Sequence, residues 1–178
     1  MLFLEAQLKI TLLTTPRTAS TYYSWVLAVK YNIPNLGEYL HGLTPADYLP
    51  LVQDMPVGIH KIFENSLDRP SLNFVLANSD KVYYLIRKDK EAQLKSFLCA
   101  KHRSPGDSVG FTNEDSGGVI DIEVNKSEAD RYRARFSRSD EAIKSVASRY
   151  PGEIVYTEDI VKDNYKPYTQ KYNFSIIG

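Results

Sequence analysis

Residues 12–23, with the sequence LLTTPRTASTYY, decide the fold, because an apolar run passes through Pro16 directly into a helical pattern. This succession predicts a β-strand, a tight turn and an α-helix. The first N–H groups of a helix have no partners within the helix, so the turn predicts an anion-binding site built largely from backbone. Positive charge and hydroxyl groups are added by Arg17, Thr18, Ser20 and Thr21.

Two alternatives concern the same turn. It lacks the Gly-x-x-x-x-Gly-Lys-Ser/Thr spacing of a Walker A loop, which disfavours an ordinary ATPase or GTPase. An ordinary N-cap, in which Thr18 or Ser20 starts the helix, explains the hydroxyl groups without any ligand.

A second strand-to-helix junction lies at residues 82–100, with the sequence VYYLIRKDKEAQLKSFLCA. An apolar strand meets a charged turn, and a helix follows. A solvated helix start explains the charges too, because Asp89 and Glu91 are favourable near the positive end of the helix dipole.

Both junctions resemble motifs of the sulfotransferase superfamily. Residues 16–21 are similar to the Pro-Arg/Lys-Ser-Gly-Ser/Thr-Thr loop, and Ala19 stands where the family usually has glycine. If that position needs a positive φ, alanine is strained there. Residues 87–96 are similar to the pattern Arg-Arg-Asp-Lys-x-x-Gln-Ala-x-Ser of bacterial carbohydrate sulfotransferases, with Lys88 and Leu94 as the departures. Residues 157–160 are weakly similar to a third family motif, Tyr-Glu-Asp-Leu.

The resemblance implies transfer of a sulfuryl group from 3′-phosphoadenosine-5′-phosphosulfate (PAPS) to a hydroxyl of a small carbohydrate, lipid or peptide. Adenosine 3′,5′-bisphosphate is then the second product, and no metal is required. The implied donor-binding residues are Arg17, Thr18, Ala19, Ser20, Thr21, Arg87, Lys88 and Ser96. Arg17 also has the catalytic role of neutralising the leaving phosphate, and either Arg87 or Lys88 binds the 3′-phosphate.

The acceptor hydroxyl needs a base, and the resemblance points to two catalytic residues. Glu38 follows the first helix in a Gly-Glu context, and His60 lies on a predicted strand near the pocket. Lys61 is a weaker candidate for assisting the leaving group. A solvated loop carboxylate and a hydrogen-bonded core histidine are the structural alternatives for Glu38 and His60.

Composition bounds these expectations. The 178 residues suit one domain, residues 1–178, and the 22 basic and 22 acidic side chains cancel, so no general affinity for nucleic acid or a membrane surface is implied. The single cysteine, Cys99, is expected in the core and favours a reducing, cytoplasmic compartment. The opening residues predict a first strand, and no apolar run is long enough to span a membrane. A homo-oligomer is compatible with the sequence, which does not decide the oligomeric state.

The remaining pattern alternates strands and helices, which predicts an α/β protein with a parallel sheet covered on both faces. The resemblance refines this expectation to a three-layer P-loop-like fold. The predicted strands are 9–14, 58–63, 81–86 and 153–156, and the predicted helices are 19–31, 71–79, 90–102 and 127–150, with short helices near 45–52. Residues 103–118 are expected to be an irregular lid or acceptor loop. The alternative function is a non-catalytic nucleotide-binding or interaction module that retains the fold.

Overall fold

A computed structural model describes residues 8–38, 55–103, 120–161 and 172–178. Its strands are β1 (Lys9–Thr14), β2 (Asn35–Gly37), β3 (Gly58–Phe63), β4 (Lys81–Ile86), β5 (Ile120–Asn125), β6 (Glu153–Tyr156) and β7 (Tyr172–Ile177). Its helices are α1 (Ser20–Tyr31), α2 (Arg69–Ala77), α3 (Lys90–Arg103), α4 (Lys126–Ala147) and α5 (Thr157–Ile160).

The main sheet has five strands in the order β2-β3-β1-β4-β6, and every described pair is parallel. A separate two-stranded parallel sheet joins β5 to β7. The predicted α/β class with a parallel sheet flanked by helices is therefore confirmed. Because the strands are parallel, the carboxyl ends of β1, β3 and β4 meet at one edge of the sheet, with β1 in the middle.

Helices cover both faces of the main sheet. On one face, Tyr23 and Leu27 of α1 pack against apolar residues of β1, β3 and β4. On the other, α2 and α4 pack against the alternate residues of the same strands. The chain leaves β1 over one face toward β2, and passes from β3 to β4 over the opposite face. The carboxyl end of β1 is therefore at a topological switch point, where open α/β sheets bind ligands.

Helix α1 presents its apolar residues in an unexpected way. The three- and four-residue spacing of Tyr22, Trp25, Val26 and Val29 predicts a helix, and the helix is present, but all four side chains are exposed. The residues that pack on the sheet are Tyr23, Leu27 and Ala28. The helix is apolar on more than one side, so its periodicity identifies the helix without identifying its buried face.

Most predicted elements are confirmed with small shifts at their ends. The predicted strands 9–14, 58–63, 81–86 and 153–156 have the bounds of β1, β3, β4 and β6. Helix α2 begins earlier than predicted because Asp68 caps it, with a carboxylate oxygen 2.7 Å from the Ser71 amide. The sequence did not predict β2, β5, β7 or α5. The short helices near 45–52 and residues 104–118 of the expected lid lie outside the described residues.

Two smaller expectations concern Cys99 and membranes. Cys99 is fully buried in an apolar cluster formed by α3, α4 and the small sheet, as expected of a core residue. Of the helices in the described ranges, none combines the length and the apolar character needed to cross a bilayer.

Candidate anion-binding site at the carboxyl edge of the sheet

The turn between β1 and α1 leaves the first amides of α1 without a side-chain cap. Ala19 is the N-cap residue, and no side-chain hydrogen bond from the described residues caps the helix. The Thr18 hydroxyl instead donates to the Thr15 carbonyl at 2.9 Å and lies 2.5 Å from the Thr14 hydroxyl. An ordinary Ser/Thr N-cap therefore does not explain this turn. Uncapped N–H groups at a helix start favour an anion in front of them.

Ala19 adopts the conformation in which alanine is strained. Its φ is 57° and its ψ is 27°, in the left-handed region, and Arg17 also has a positive φ of 66°. Glycine adopts this region without a steric penalty, whereas a Cβ disfavours it. The sequence-based concern about alanine at this position is therefore justified.

This strain gives a stability prediction. We expect Ala19→Gly to raise the free energy of unfolding by about 0.5–1 kcal/mol, because relief of the left-handed strain outweighs the larger backbone entropy of glycine. Urea denaturation measures the difference. The control is Ala134→Gly at an exposed position inside α4, which should lower stability by about 1 kcal/mol. A loss of stability in both variants would contradict the prediction.

The two sequence motifs meet at this turn. The Arg17 Nε donates a hydrogen bond of 3.1 Å to the Ser96 hydroxyl, although 79 positions separate the residues. The Arg87 Nη1 donates to the Arg17 carbonyl oxygen at 3.1 Å. Two guanidinium groups and a hydroxyl are therefore close to the uncapped start of α1. Since the chain as a whole carries no net charge, this local concentration of positive charge is a property of the site.

Two residues that were not predicted as site residues hold the turn in place. The Gln93 amide, fully buried, donates to the Thr15 hydroxyl at 3.0 Å and to the Pro16 carbonyl at 2.8 Å. The Thr157 hydroxyl donates to the Thr18 carbonyl at 2.8 Å. Gln93 is one of the matching positions of the second motif, and this match is the signal that could have identified it. Thr157 lies in the weakest of the three motif matches.

Lys90 supports this arrangement from the start of α3. Its ammonium group donates to the Gln93 side-chain oxygen at 3.0 Å and forms an ion pair with Asp140 of α4. Burial raises the pKa of Asp140 above its ordinary value, and the ion pair with Lys90 opposes this shift. The pair thus orients Gln93, and through it the turn after β1.

The structure separates Lys88 from Arg87. The Lys88 ammonium lies 3.7 Å from a carboxylate oxygen of Asp159 and 4.1 Å from the ring centre of Tyr156. The amides of Lys88 and Asp89 donate to the Glu158 carboxylate at 3.1 and 3.0 Å. Arg87 is thus directed toward Arg17, whereas Lys88 is directed toward α5.

Glu158 itself is stabilised as an anion. Burial alone would raise its pKa, but the backbone hydrogen bonds that it accepts and the charge of Arg87 outweigh burial and lower the pKa below its ordinary value. A charged Glu158 fixes the turn between β4 and α3, which positions Arg87.

Glu38 and Lys61 form a second polar group beside the start of α1. The buried Lys61 ammonium lies 2.7 Å from a carboxylate oxygen of Glu38 and donates to the Thr21 hydroxyl at 2.9 Å. The predicted base Glu38 and the weaker candidate Lys61 are therefore both brought next to the predicted anion-binding turn. Glu38 is ion-paired with Lys61, so it must give up part of this contact before it can act as a base.

His60 is not brought to this edge. It pairs with Thr11, three positions before the end of β1, and its ring Nε2 donates to the Pro56 carbonyl at 2.7 Å. Neighbouring residues of a strand point to opposite faces, so His60 faces away from Lys61. Burial lowers the pKa of His60, the charge of Lys9 lowers it further, and the hydrogen bond with Pro56 opposes both.

The guanidinium groups of Arg17 and Arg87 and the amides at the start of α1 suit the site to an anion. In the described ranges, no group of three or more His, Cys, Asp or Glu side chains could hold a metal ion.

No protein-family model matches the chain, and a search of the curated proteins finds no match either.

Proposed function

We propose that the chain is a PAPS-dependent sulfotransferase, which transfers a sulfuryl group to a hydroxyl of a small carbohydrate, lipid or peptide. The observation that carries the proposal is the hydrogen bond of 3.1 Å between Arg17 and Ser96. In the family that both motifs resemble, the corresponding residues bind opposite ends of one nucleotide. Their contact here supports a single site for a ligand with two separated phosphate groups.

The position of the site in the sheet supports the same proposal. The turn after β1 lies at the topological switch point, and the turn after β4 lies beside it because β1 and β4 are neighbours. A three-layer P-loop-like fold is part of the proposal. So is a cytoplasmic location, since a lone buried cysteine fits a reducing compartment.

The proposed roles follow from the placement of each side chain. The amides of the first turn of α1 and Arg17 hold the 5′ end of the nucleotide, and Arg87 and Ser96 hold the 3′-phosphate. PAPS, when bound, supplies the sulfuryl group. Fixed cations and backbone N–H groups that stabilise charge on a departing phosphate do most of the work in such transfers.

The alternative of a non-catalytic binding module has one observation in its favour. The candidate base Glu38 forms an ion pair of 2.7 Å with Lys61, and it must give up part of this contact before it accepts a proton. A protein that binds the nucleotide without transferring anything needs no such change. Binding and transfer must therefore be measured separately.

Ligand-induced stabilisation tests the proposal. We expect adenosine 3′,5′-bisphosphate to raise the melting temperature more than AMP, ADP or ATP, with or without magnesium, because only it carries both phosphate groups in the proposed positions. At a hundred times its dissociation constant, a ligand that binds only the folded state adds about 2.7 kcal/mol of stability. Thermal denaturation followed by fluorescence detects such an effect readily.

The other outcomes are equally informative. Greater stabilisation by magnesium and ATP would contradict the proposal and indicate a kinase-like enzyme with an atypical loop. Failure of all four nucleotides to bind would contradict any nucleotide site. Binding of the bisphosphate without transfer from PAPS to a panel of hydroxyl compounds would favour the non-catalytic module.

A further inference from the structure

A partly buried glutamate lies next to the anion-binding turn, and one of its carboxylate oxygens has no role in that turn. Glu64 directly follows β3, and its amide donates to the Thr14 carbonyl at 3.1 Å, so its backbone adjoins the end of β1. One of its carboxylate oxygens, Oε1, accepts a hydrogen bond of 2.5 Å from the Ser139 hydroxyl of α4. The other, Oε2, is buried and has no hydrogen-bond partner among the described residues.

An unsatisfied carboxylate oxygen needs an explanation, because desolvation of a charged oxygen without a donor is costly. Burial raises the pKa of Glu64, while the Ser139 hydrogen bond, the backbone amides of Glu64 and Asn65 and the charge of Arg135 lower it in part. Glu64 as a whole is only partly buried, and the terminal torsion of a glutamate is soft. A small rotation can therefore present Oε2 to a hydroxyl donor of a bound molecule.

The arginines of α4 divide into two groups. Arg131 forms an ion pair with Glu128. Arg133 forms ion pairs with Glu91 and with Asp130. Arg135 and Arg138 are exposed, and no carboxylate of the described residues lies within 4.0 Å of either guanidinium.

Of these arginines, Arg135 is the one on the same side of α4 as the contact with Glu64. It lies one helical turn before Ser139, on the same side of α4, and its charge acts on Glu64. Within the part of the chain that the structure describes, a carboxylate oxygen that accepts no hydrogen bond and an arginine that forms no ion pair thus both lie on the α4 side of the site.

We infer that Glu64, Ser139 and Arg135 form a binding site for a molecule that carries a hydroxyl group and, close to it, an acidic group. The hydroxyl donates to Glu64, and the acidic group pairs with Arg135. This site lies on the face of the sheet opposite to α1, because α4 covers that face. That this site binds the acceptor rests on the proposed function. If it does, the acceptor is a hydroxyl compound that also carries a carboxylate or sulfate group.

Two simple glycosides test this site without requiring turnover. Methyl β-D-glucuronide carries hydroxyls and a carboxylate, whereas methyl β-D-glucoside carries hydroxyls alone. With adenosine 3′,5′-bisphosphate present, we expect the glucuronide to bind about tenfold more tightly, as a charge-assisted contact with an arginine predicts. Titrations followed by NMR measure both dissociation constants.

Matched variants locate the effect. Arg135→Ala should abolish the preference for the glucuronide, and Arg131→Ala, which removes the same charge from the same helix, should retain it. Glu64→Gln keeps an oxygen for Ser139 and should weaken the binding of both glycosides. Equal affinities in the unmodified protein, a preference that survives Arg135→Ala, or no binding of either glycoside would overturn the inference.

The proposed function can fail independently of this inference. It fails if adenosine 3′,5′-bisphosphate does not bind, and that measurement needs no glycoside. Binding of the glucuronide in an Arg135-dependent way, without binding of the nucleotide, would leave the site established and the sulfotransferase proposal contradicted.

Discussion

Arg17→Ala is expected to weaken the binding of adenosine 3′,5′-bisphosphate by about 30- to 100-fold, which corresponds to ~2–3 kcal/mol at 25 °C. The guanidinium group is partly buried between the start of α1 and Ser96, where it can contact phosphate oxygens in a fixed direction. The hydrogen bond from Arg87 uses the backbone carbonyl of residue 17, so the turn keeps this support in the variant. Isothermal titration calorimetry measures the loss.

Two variants control for charge and geometry. Arg149→Ala removes the same charge from an exposed position after α4, and it should leave the affinity unchanged. Arg17→Lys keeps the charge but cannot reproduce the planar fork, so its affinity should fall between those of the unmodified protein and Arg17→Ala. Equal affinities of Arg17→Ala and Arg149→Ala would contradict the assignment of Arg17.

The sequence predicted the four strands that are bounded by clear turn residues. β1 and β4 are buried apolar runs that end at the polar residues of the two motifs, and this contrast places their ends correctly. β2 is only three residues long, and its partner β3 lies beyond residues 39–54. β5 and β7 pair with each other across 52 positions, so their pairing depends on contacts that no local pattern contains.

The sequence indicated several residues of the candidate site, but it did not indicate the contacts between them. The resemblance to two family motifs implied Arg17, Arg87 and Ser96, which follow the ends of β1 and β4. It could not separate Arg87 from Lys88, since neighbouring positions carry the same charge and only the fold directs one toward Arg17. Glu64 was missed because its only local feature is its place after β3.

Gly152 shows how closely the last strand of the main sheet approaches its neighbour. It precedes β6, which pairs with β4. A Cβ at Gly152 would lie 2.6 Å from the Val82 carbonyl oxygen and 2.6 Å from a ring carbon of Tyr84. Tyr84 cannot easily move away, because it is fully buried and its hydroxyl donates to the Tyr150 carbonyl at 2.8 Å.

Gly152→Ala is therefore expected to lower the free energy of unfolding by about 3 kcal/mol, because the new methyl group displaces backbone and a buried ring. Gly37→Ala separates steric overlap from backbone strain: φ is +60° there, but no atom of the described residues lies within 4 Å of the new Cβ, so its cost should be only ~1 kcal/mol. Urea denaturation compares the two, and equal losses would contradict the packing explanation. Since Thr157 directly follows β6 and bonds to the Thr18 carbonyl, displacement of β6 should also weaken nucleotide binding.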